Sequence, residues 1–372
     1  MSVKTTNNVY SQISISNLTL RITGVLFLLL LLNFQSNVQS QAKEVEISGQ
    51  WYLSFVAGEN DGEDVNKFYA HRGYLNFKPK FSPTLSARIT PDITIDNAGD
   101  VKMRLKYLYM NFNLPEHTFF KKSYIEFGLV HRPWLDFEEH INMYRMQGTM
   151  YLERNHLFNS ADFGVTFVTL FGELVDETYQ KEVNNKYPGR YGSMAIGIYN
   201  GGGYHALEKN TSKVLETRVT FRPSPDKFPG LQASYFGAFG KGNTEDEPDY
   251  ILNTAYLSYE HQRFIVAGTA YFGEGNSKGN AIDAFGDPYP QSGYSAFAEY
   301  KIPNSKFSIV GRYDTFDHDT DVEDNNVIRT IVGLAYHFYG KHKALLDYDY
   351  AKDDATGEKV NSLVKFTVEV HF

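Results

Sequence analysis

The sequence predicts an all-β fold, a transmembrane antiparallel β-barrel of about 16 strands, on three observations. Apolar and polar residues alternate with a period of two along most of the chain beyond residue 43. Tyr (27) and Phe (28) are far above ordinary usage, while Cys is 0. The connections between alternating segments are by turns long and polar, then short and tight. Alternation gives each strand one apolar and one polar face. A mean hydropathy of −0.39 results when lipid-facing and lumen-facing residues cancel in the average.

Residues 1–42 read as a signal peptide. Lys4 and Arg21 precede the apolar run VLFLLLLL, Val25 to Leu32, and Ser40 or Ala42 supplies the small residue before a cleavage site. The run is too short for about 30 Å of hydrocarbon and suits an export signal. Residues 43–372 are then the barrel. Its charge excludes the usual nucleic-acid binder: the whole chain is −8, and residues 1–42 hold no acidic residue, whereas such a binder carries the opposite sign. The lack of cysteine removes disulfides, thiolate catalysis and cysteine metal sites.

Strands are expected at 45–56, 69–81, 84–95, 101–113, 122–132, 161–172, 191–200, 213–222, 231–239, 250–260, 263–273, 293–301, 306–314, 327–339, 342–351 and 361–372. Connections after odd strands include AGENDGEDVNK, GKGNTEDEPD, GEGNSKGNAIDAFGDPYPQ and DTFDHDTDVEDNN; those after even strands include FSPT, EHQ, IPNS and YGKH. Such asymmetry, with an even strand number, belongs to barrels with short periplasmic turns and longer outside loops. One connection breaks the pattern: LVDETYQKEVNNKYPGR (174–190) is long at the end where turns should be tight. Either a hairpin is hidden there or the turn is extended.

The last strand ends KFTVEVHF, with Val364, Phe366, Val368, Val370 and Phe372 on one face and Lys365, Thr367, Glu369 and His371 on the other. An alternating terminal strand ending on an aromatic resembles the C-terminal signal by which outer-membrane barrels are recognised, so Phe372 is the candidate assembly signal for the barrel-assembly machinery. In the fourth strand, VKMRLKYLYM, parity puts Val101, Met103, Leu105 and Tyr107 toward lipid. Lys102, Arg104 and Lys106 are left in the lumen about 7 Å apart. Arg72, Lys78 and Lys80 on the second strand, Arg88 on the third and Arg132 at the end of the fifth extend the basic surface. Such a row lowers the barrier for anions, unless Asp92, Asp96 and Glu126 pair with it. The connection after strand five, residues 131–160, carries Trp134, Met143, Tyr144, Met146, Met150 and Tyr151 among Arg132, Arg145, Arg154, Glu138, Glu139 and Glu153. A loop this apolar is expected to fold inside the barrel and narrow it; the alternative is a subunit contact.

The stretch YIEFGLVHRPW…YR…ER…FGVTF, 124–167, followed by AIGIYNGGGYHALEKNTSK, 195–213, and a strand containing Arg218, resembles the phosphate-selective porins (O and P type) of Gram-negative outer membranes. The resemblance covers about half of residues 43–372. It implies a passive channel of 16 strands in the bacterial outer membrane, a homotrimer, with the loop after strand five as constriction. The solutes are then small and hydrophilic, with anions such as phosphate among them. The candidate anion path is Lys102, Arg104, Lys106, Arg88, Arg132, Arg145, Arg154 and Arg218, and no cofactor or metal is implied. Against phosphate stand the acidic outer connections: Glu59, Asp61, Glu63 and Asp64; Glu245, Asp246, Glu247 and Asp249; Asp317, Asp319, Asp321, Glu323 and Asp324. Such a mouth attracts cations at low salt.

Other chemistries fit less well. Asp317, Asp319 and Asp321 begin like a calcium loop, but Val322 stands where the turn glycine belongs and Ile328 where the bidentate glutamate belongs. GEGNSKG (273–279) lacks phosphate-loop spacing. A barrel enzyme of lipase or protease type would need a nucleophile; there is no Gly-x-Ser-x-Gly, and His117, His131, His140 and His205 show no nucleophile pairing in sequence. A structural or adhesive barrel is the third class.

Overall fold

The computed structural model describes residue 42 and residues 44–96, 98–354 and 356–372. The expected signal peptide, apart from Ala42, lies outside the described residues. The strands are β1 (Glu44–Asn60), β2 (Glu63–Lys80), β3 (Leu85–Ile95), β4 (Val101–Asn113), β5 (Phe120–His131), β6 (Ala161–Phe171), β7 (Gly192–Tyr199) and β8 (Val214–Phe221). They continue as β9 (Leu231–Lys241), β10 (Asp249–Glu260), β11 (Phe264–Glu274), β12 (Pro290–Lys301), β13 (Phe307–Asp317), β14 (Asn326–Tyr339), β15 (His342–Asp353) and β16 (Lys359–His371). Each pairs antiparallel with its sequence neighbours, and β1 pairs with β16 to close the barrel. Closure leaves no edge, which is how a sheet satisfies its backbone in hydrocarbon.

The number and order of strands are as the alternation predicts. The chief difference is at β1 and β2, which run through most of the expected first loop and leave only Asp61 and Gly62 as the turn. Both have positive φ, 53° and 76°, the backbone that a two-residue hairpin requires and that Asp-Gly supplies. The long connection at the tight end is genuine. It hides no further barrel strand, and carries a short helix, Glu177–Glu182, between Leu174 and Gly189, which form an isolated bridge.

Outward residues form an exposed apolar band that includes Leu53, Met103, Leu108, Phe163, Ile198, Val219, Leu257, Ile309, Leu334 and Phe366. Aromatics gather where the strands meet the even-numbered connections. Phe119 stacks on Phe171 and Tyr191, Tyr259 meets Phe228 and Phe264, and Phe307 meets Tyr336. Barrels carry such girdles at the membrane–water boundary. Phe372 belongs to this end. Its backbone exchanges two hydrogen bonds with Gly49, at 3.0 and 3.1 Å, and its ring stacks on Trp51. A Cβ at position 49 would lie 2.1 Å from that ring, so glycine is what lets the terminal aromatic lie across the closing seam.

Candidate functional site

The inner wall of β3 and β4 carries the basic row, and its geometry turns on one irregularity. Thr90 pairs with Tyr107 but Pro91 pairs with Leu105, so Lys106 is an extra residue bulged out of the ladder. Proline has no N–H to give, and bulges are where a sheet tolerates it. The bulge reverses the parity of the residues beyond it. Lys106 and Tyr107 are both buried inside, at 4% and 7% exposure, while Leu108 faces out. The expectation that Tyr107 faces lipid is therefore corrected; the alternation holds for Val101, Met103 and Leu105, which are exposed on the outside.

Lys102 lies near the end of β4 that follows an odd-numbered strand, and Arg104 and Lys106 lie successively deeper. Lys106 Nζ is 3.4 Å from the Tyr74 hydroxyl and sits over the Tyr74 and Tyr107 rings. Arg88 donates to Asn76 Oδ1 at 2.7 Å, to Thr90 Oγ1 at 2.9 Å and to His131 Nε2 at 3.0 Å, and lies over Tyr107. Among the described residues, none of Lys102, Arg104, Lys106 and Arg88 has a carboxylate within ion-pair distance. Their neighbours on β2 do: Arg72 meets Asp92 at 3.6 Å, Lys78 meets Glu46 at 2.9 Å and Lys80 meets Glu44 at 3.2 Å.

The other four candidate cations have a different setting. Residues 132–160 pack against inward-facing side chains of several strands, and each cation there is enclosed. Arg132 is fully buried, paired with Glu216 of β8 and lying over Phe158. Arg218, on β8, is fully buried and donates to the Pro133 carbonyl, Ser193 and Thr220. Arg145 binds Glu153 at 2.5 Å and Glu139 at 3.2 Å. Arg154 reaches Asp314 of β13 at 3.0 Å. The far side of the loop is tied to the wall by Tyr144 donating to Glu299 at 2.6 Å, Tyr151 to the Thr315 carbonyl at 2.8 Å, and Lys365 to the Gln147 carbonyl at 2.9 Å. Trp134 fills the space between Phe236 and Tyr256, and its indole N–H donates to Glu138.

Burial sets the protonation of this loop. It pushes the Glu138 carboxyl up to about 7, with only partial relief from Arg312 and the Trp134 hydrogen bond. It pushes Arg154 down to about 9, helped by Arg312 and Arg329. Burial also opposes ionisation of Glu153, but Arg145 overrides it and holds that carboxyl below its usual range.

The sequence reading missed Asp136, Tyr204 and Glu216. Asp136 receives Lys186 at 2.8 Å and the Tyr187 hydroxyl at 2.6 Å, and Tyr204 donates to Asp92 at 3.1 Å. Pro91 inside a strand was the one local signal, since it marks a bulge. The long-range pairs leave no trace in local pattern. Asp317 and Asp319 each accept a backbone N–H two residues on, and no group of three or more His, Asp or Glu among the described residues could hold a metal ion. Ser308, His337 and Glu299 lie together, but both partners approach the same ring nitrogen, Nε2, at 3.2 and 3.7 Å. A hydrolytic triad instead orients its base through the other nitrogen.

No protein-family model and no curated protein sequence matches the chain. Solved structures do match in fold. An anion-selective porin from Comamonas acidovorans is 11% identical with a TM-score of 0.60, over 88% of this chain and 99% of that one. The outer membrane channel DcaP of Acinetobacter baumannii is 13% identical with a TM-score of 0.56, over 91% and 99%. OmpT, an outer membrane protein of Vibrio cholerae in a trimer form, is 12% identical with a TM-score of 0.54, over 88% and 99%. The shared feature is the closed barrel of 16 strands.

Proposed function

We propose that the chain is a porin of the bacterial outer membrane: a passive diffusion channel for small hydrophilic solutes, with a preference for small anions such as phosphate. The observation that carries this reading is the row Lys102, Arg104, Lys106 and Arg88: among the described residues none has a carboxylate within ion-pair distance, and Lys102 is exposed and Arg88 and Arg104 partly so, while Lys106 is itself buried. In a confined path such charges act at close range. The acidic outer connections lie in open solution at the mouth, where salt screens them over a Debye length of about 8 Å at physiological strength. Some are also neutralised, Glu59 by Lys359 and Asp249 by Lys241. Arg132, Arg145, Arg154 and Arg218, each held by a carboxylate or carbonyl of the loop or wall, then serve to hold the constricting loop, not to meet the solute. A homotrimer and recognition of Phe372 by the barrel-assembly machinery belong to the same reading.

The test is the reversal potential of the purified protein in a planar bilayer under a potassium chloride gradient. A mild anion preference is expected at moderate salt. It should shift toward cations when Lys102, Arg104 and Lys106 are all replaced by Glu. A wild-type channel that already prefers cations and ignores the triple change would overturn the anion preference, and the absence of any current would overturn the channel.

A further inference from the structure

The connection 172–191 comes from the end of the barrel opposite to the 132–160 loop, yet the two meet inside it. Its fold explains how it gets there. Asp176 caps the short helix by accepting from the Thr178 and Tyr179 backbone N–H groups. Tyr179 and Asn184 both donate to Glu260 of β10, and Asn184 also donates to the His140 carbonyl at 3.0 Å. These contacts fix the segment over the barrel interior and deliver Lys186 and Tyr187 to Asp136. The Arg218 guanidinium in turn lies over both the Tyr187 and Phe137 rings.

Asp136 lies between Lys186 on one side and the His131–Arg88 pair on the other. Lys186 Nζ holds one carboxylate oxygen at 2.8 Å, and the Tyr187 hydroxyl donates to the same oxygen at 2.6 Å. The other oxygen is 3.8 Å from His131 Nε2, the nitrogen that accepts from Arg88. The opposite ring nitrogen, Nδ1, is 3.0 Å from Glu126. A carboxylate in this position binds whichever cation is nearer and better aligned, since the interaction falls steeply with distance in a poorly screened site. As built, that cation is Lys186, and Arg88 has no carboxylate within ion-pair distance among the described residues.

We propose that Lys186 and Tyr187 are positioning residues for the basic row: by holding Asp136 they keep its carboxylate from neutralising Arg88, so that ion preference is set partly from the opposite end of the barrel. The proposal rests on the reading of the row as an anion path. Tyr187→Phe is the diagnostic change, because it loosens Asp136 without altering the charge of the lumen. It should shift the reversal potential toward cations. In Lys186→Met the chloride-to-potassium permeability ratio should fall by roughly two-fold, the scale expected when one of four pore cations is neutralised. Lys186→Arg should retain the wild-type ratio. Heat-modifiable gel migration must show each variant folded.

Unchanged reversal potentials in both Tyr187→Phe and Lys186→Met would overturn the proposal. So would a shift in Lys186→Met with Tyr187→Phe silent, which would reduce Lys186 to a remote charge. If the wild type carries no current, the channel reading fails by itself. The hold on Asp136 is then read by hydrogen exchange of amides 134–142. Exchange should be at least about tenfold faster in the Tyr187→Phe, Lys186→Met double variant, the ratio expected when a charge-assisted contact worth over 1.4 kcal/mol is lost. Unchanged exchange would overturn the proposal by that route.

Discussion

Arg132 and Lys106 are both cations inside the wall, yet their surroundings give them different work. Arg132 is enclosed with Glu216, each fully buried, and a buried charge deprived of its partner costs about 3–5 kcal/mol. Glu216→Gln should therefore lower the temperature at which the heat-modifiable band converts to the unfolded position. Replacing both residues together, Arg132→Met with Glu216→Leu, should recover part of that loss, because neither member of the pair is left facing an uncompensated partner. Lys106 has rings and a hydroxyl around it but, among the described residues, no carboxylate within ion-pair distance, so Lys106→Met should leave the conversion temperature nearly unchanged and reduce anion preference. Phe372 offers a third contrast. Deleting it, or introducing Gly49→Val beneath its ring, should reduce the yield of folded barrel on the same gel; undiminished yield would show that the seam closes without it.

Among the elements, the 132–160 connection is the one whose hold depends on pH. Folding it inward carries Glu138 from an ordinary carboxyl near 4.5 to a site where burial keeps it neutral up to about 7. A group raised in this way contributes stability fully below its unfolded value, and the contribution is lost as pH rises through 7. Asp136 behaves oppositely. Burial alone would raise it, but Lys186, His131 and His140 hold it well below 3.8, so its contribution is present above that value and is lost in acid. The loop should be firmest between these limits. Hydrogen exchange of amides 134–142, corrected for intrinsic base catalysis, should be faster at pH 8.5 than at pH 6. In Glu138→Gln that difference should disappear.

At the scale of the whole molecule, the barrel has an apolar outer band and two unlike ends. The outer band is apolar and the girdle near Phe119, Phe171 and Tyr191 marks one boundary, a surface against which copies can pack laterally within a membrane. Chemical cross-linking of the protein in native membranes should give a ladder that stops at three, and bilayer insertions should come as conductance steps divisible into three levels. A ladder ending at one would remove the trimer while leaving the barrel intact. Export provides a separate check, because the intact mass of the mature protein should correspond to cleavage after Ser40 or Ala42.

Period-two alternation, turn chemistry and aromatic load determined the barrel, its 16 strands and their order, because a strand's two faces are written in adjacent residues. The inward course of residues 132–160 was legible for a similar reason: Trp134, Met146 and Tyr151 cannot remain in water. Even the two-residue turn at Asp61 and Gly62 carried a local signature, although the acidic run around it reads as a loop. Only the tertiary structure decided what the cations do. Lys102 and Arg104 follow parity, but the bulge at Lys106 turned Tyr107 inward, and Arg132, Arg145, Arg154 and Arg218 have their settings fixed by Glu216, Glu153, Asp314 and Pro133. Most of those partners are tens of residues away or more, and no local period encodes which charges a closed wall brings face to face. The same is true of Lys186 and Asp136, which approach from opposite ends of the barrel and meet because the cylinder between them is hollow.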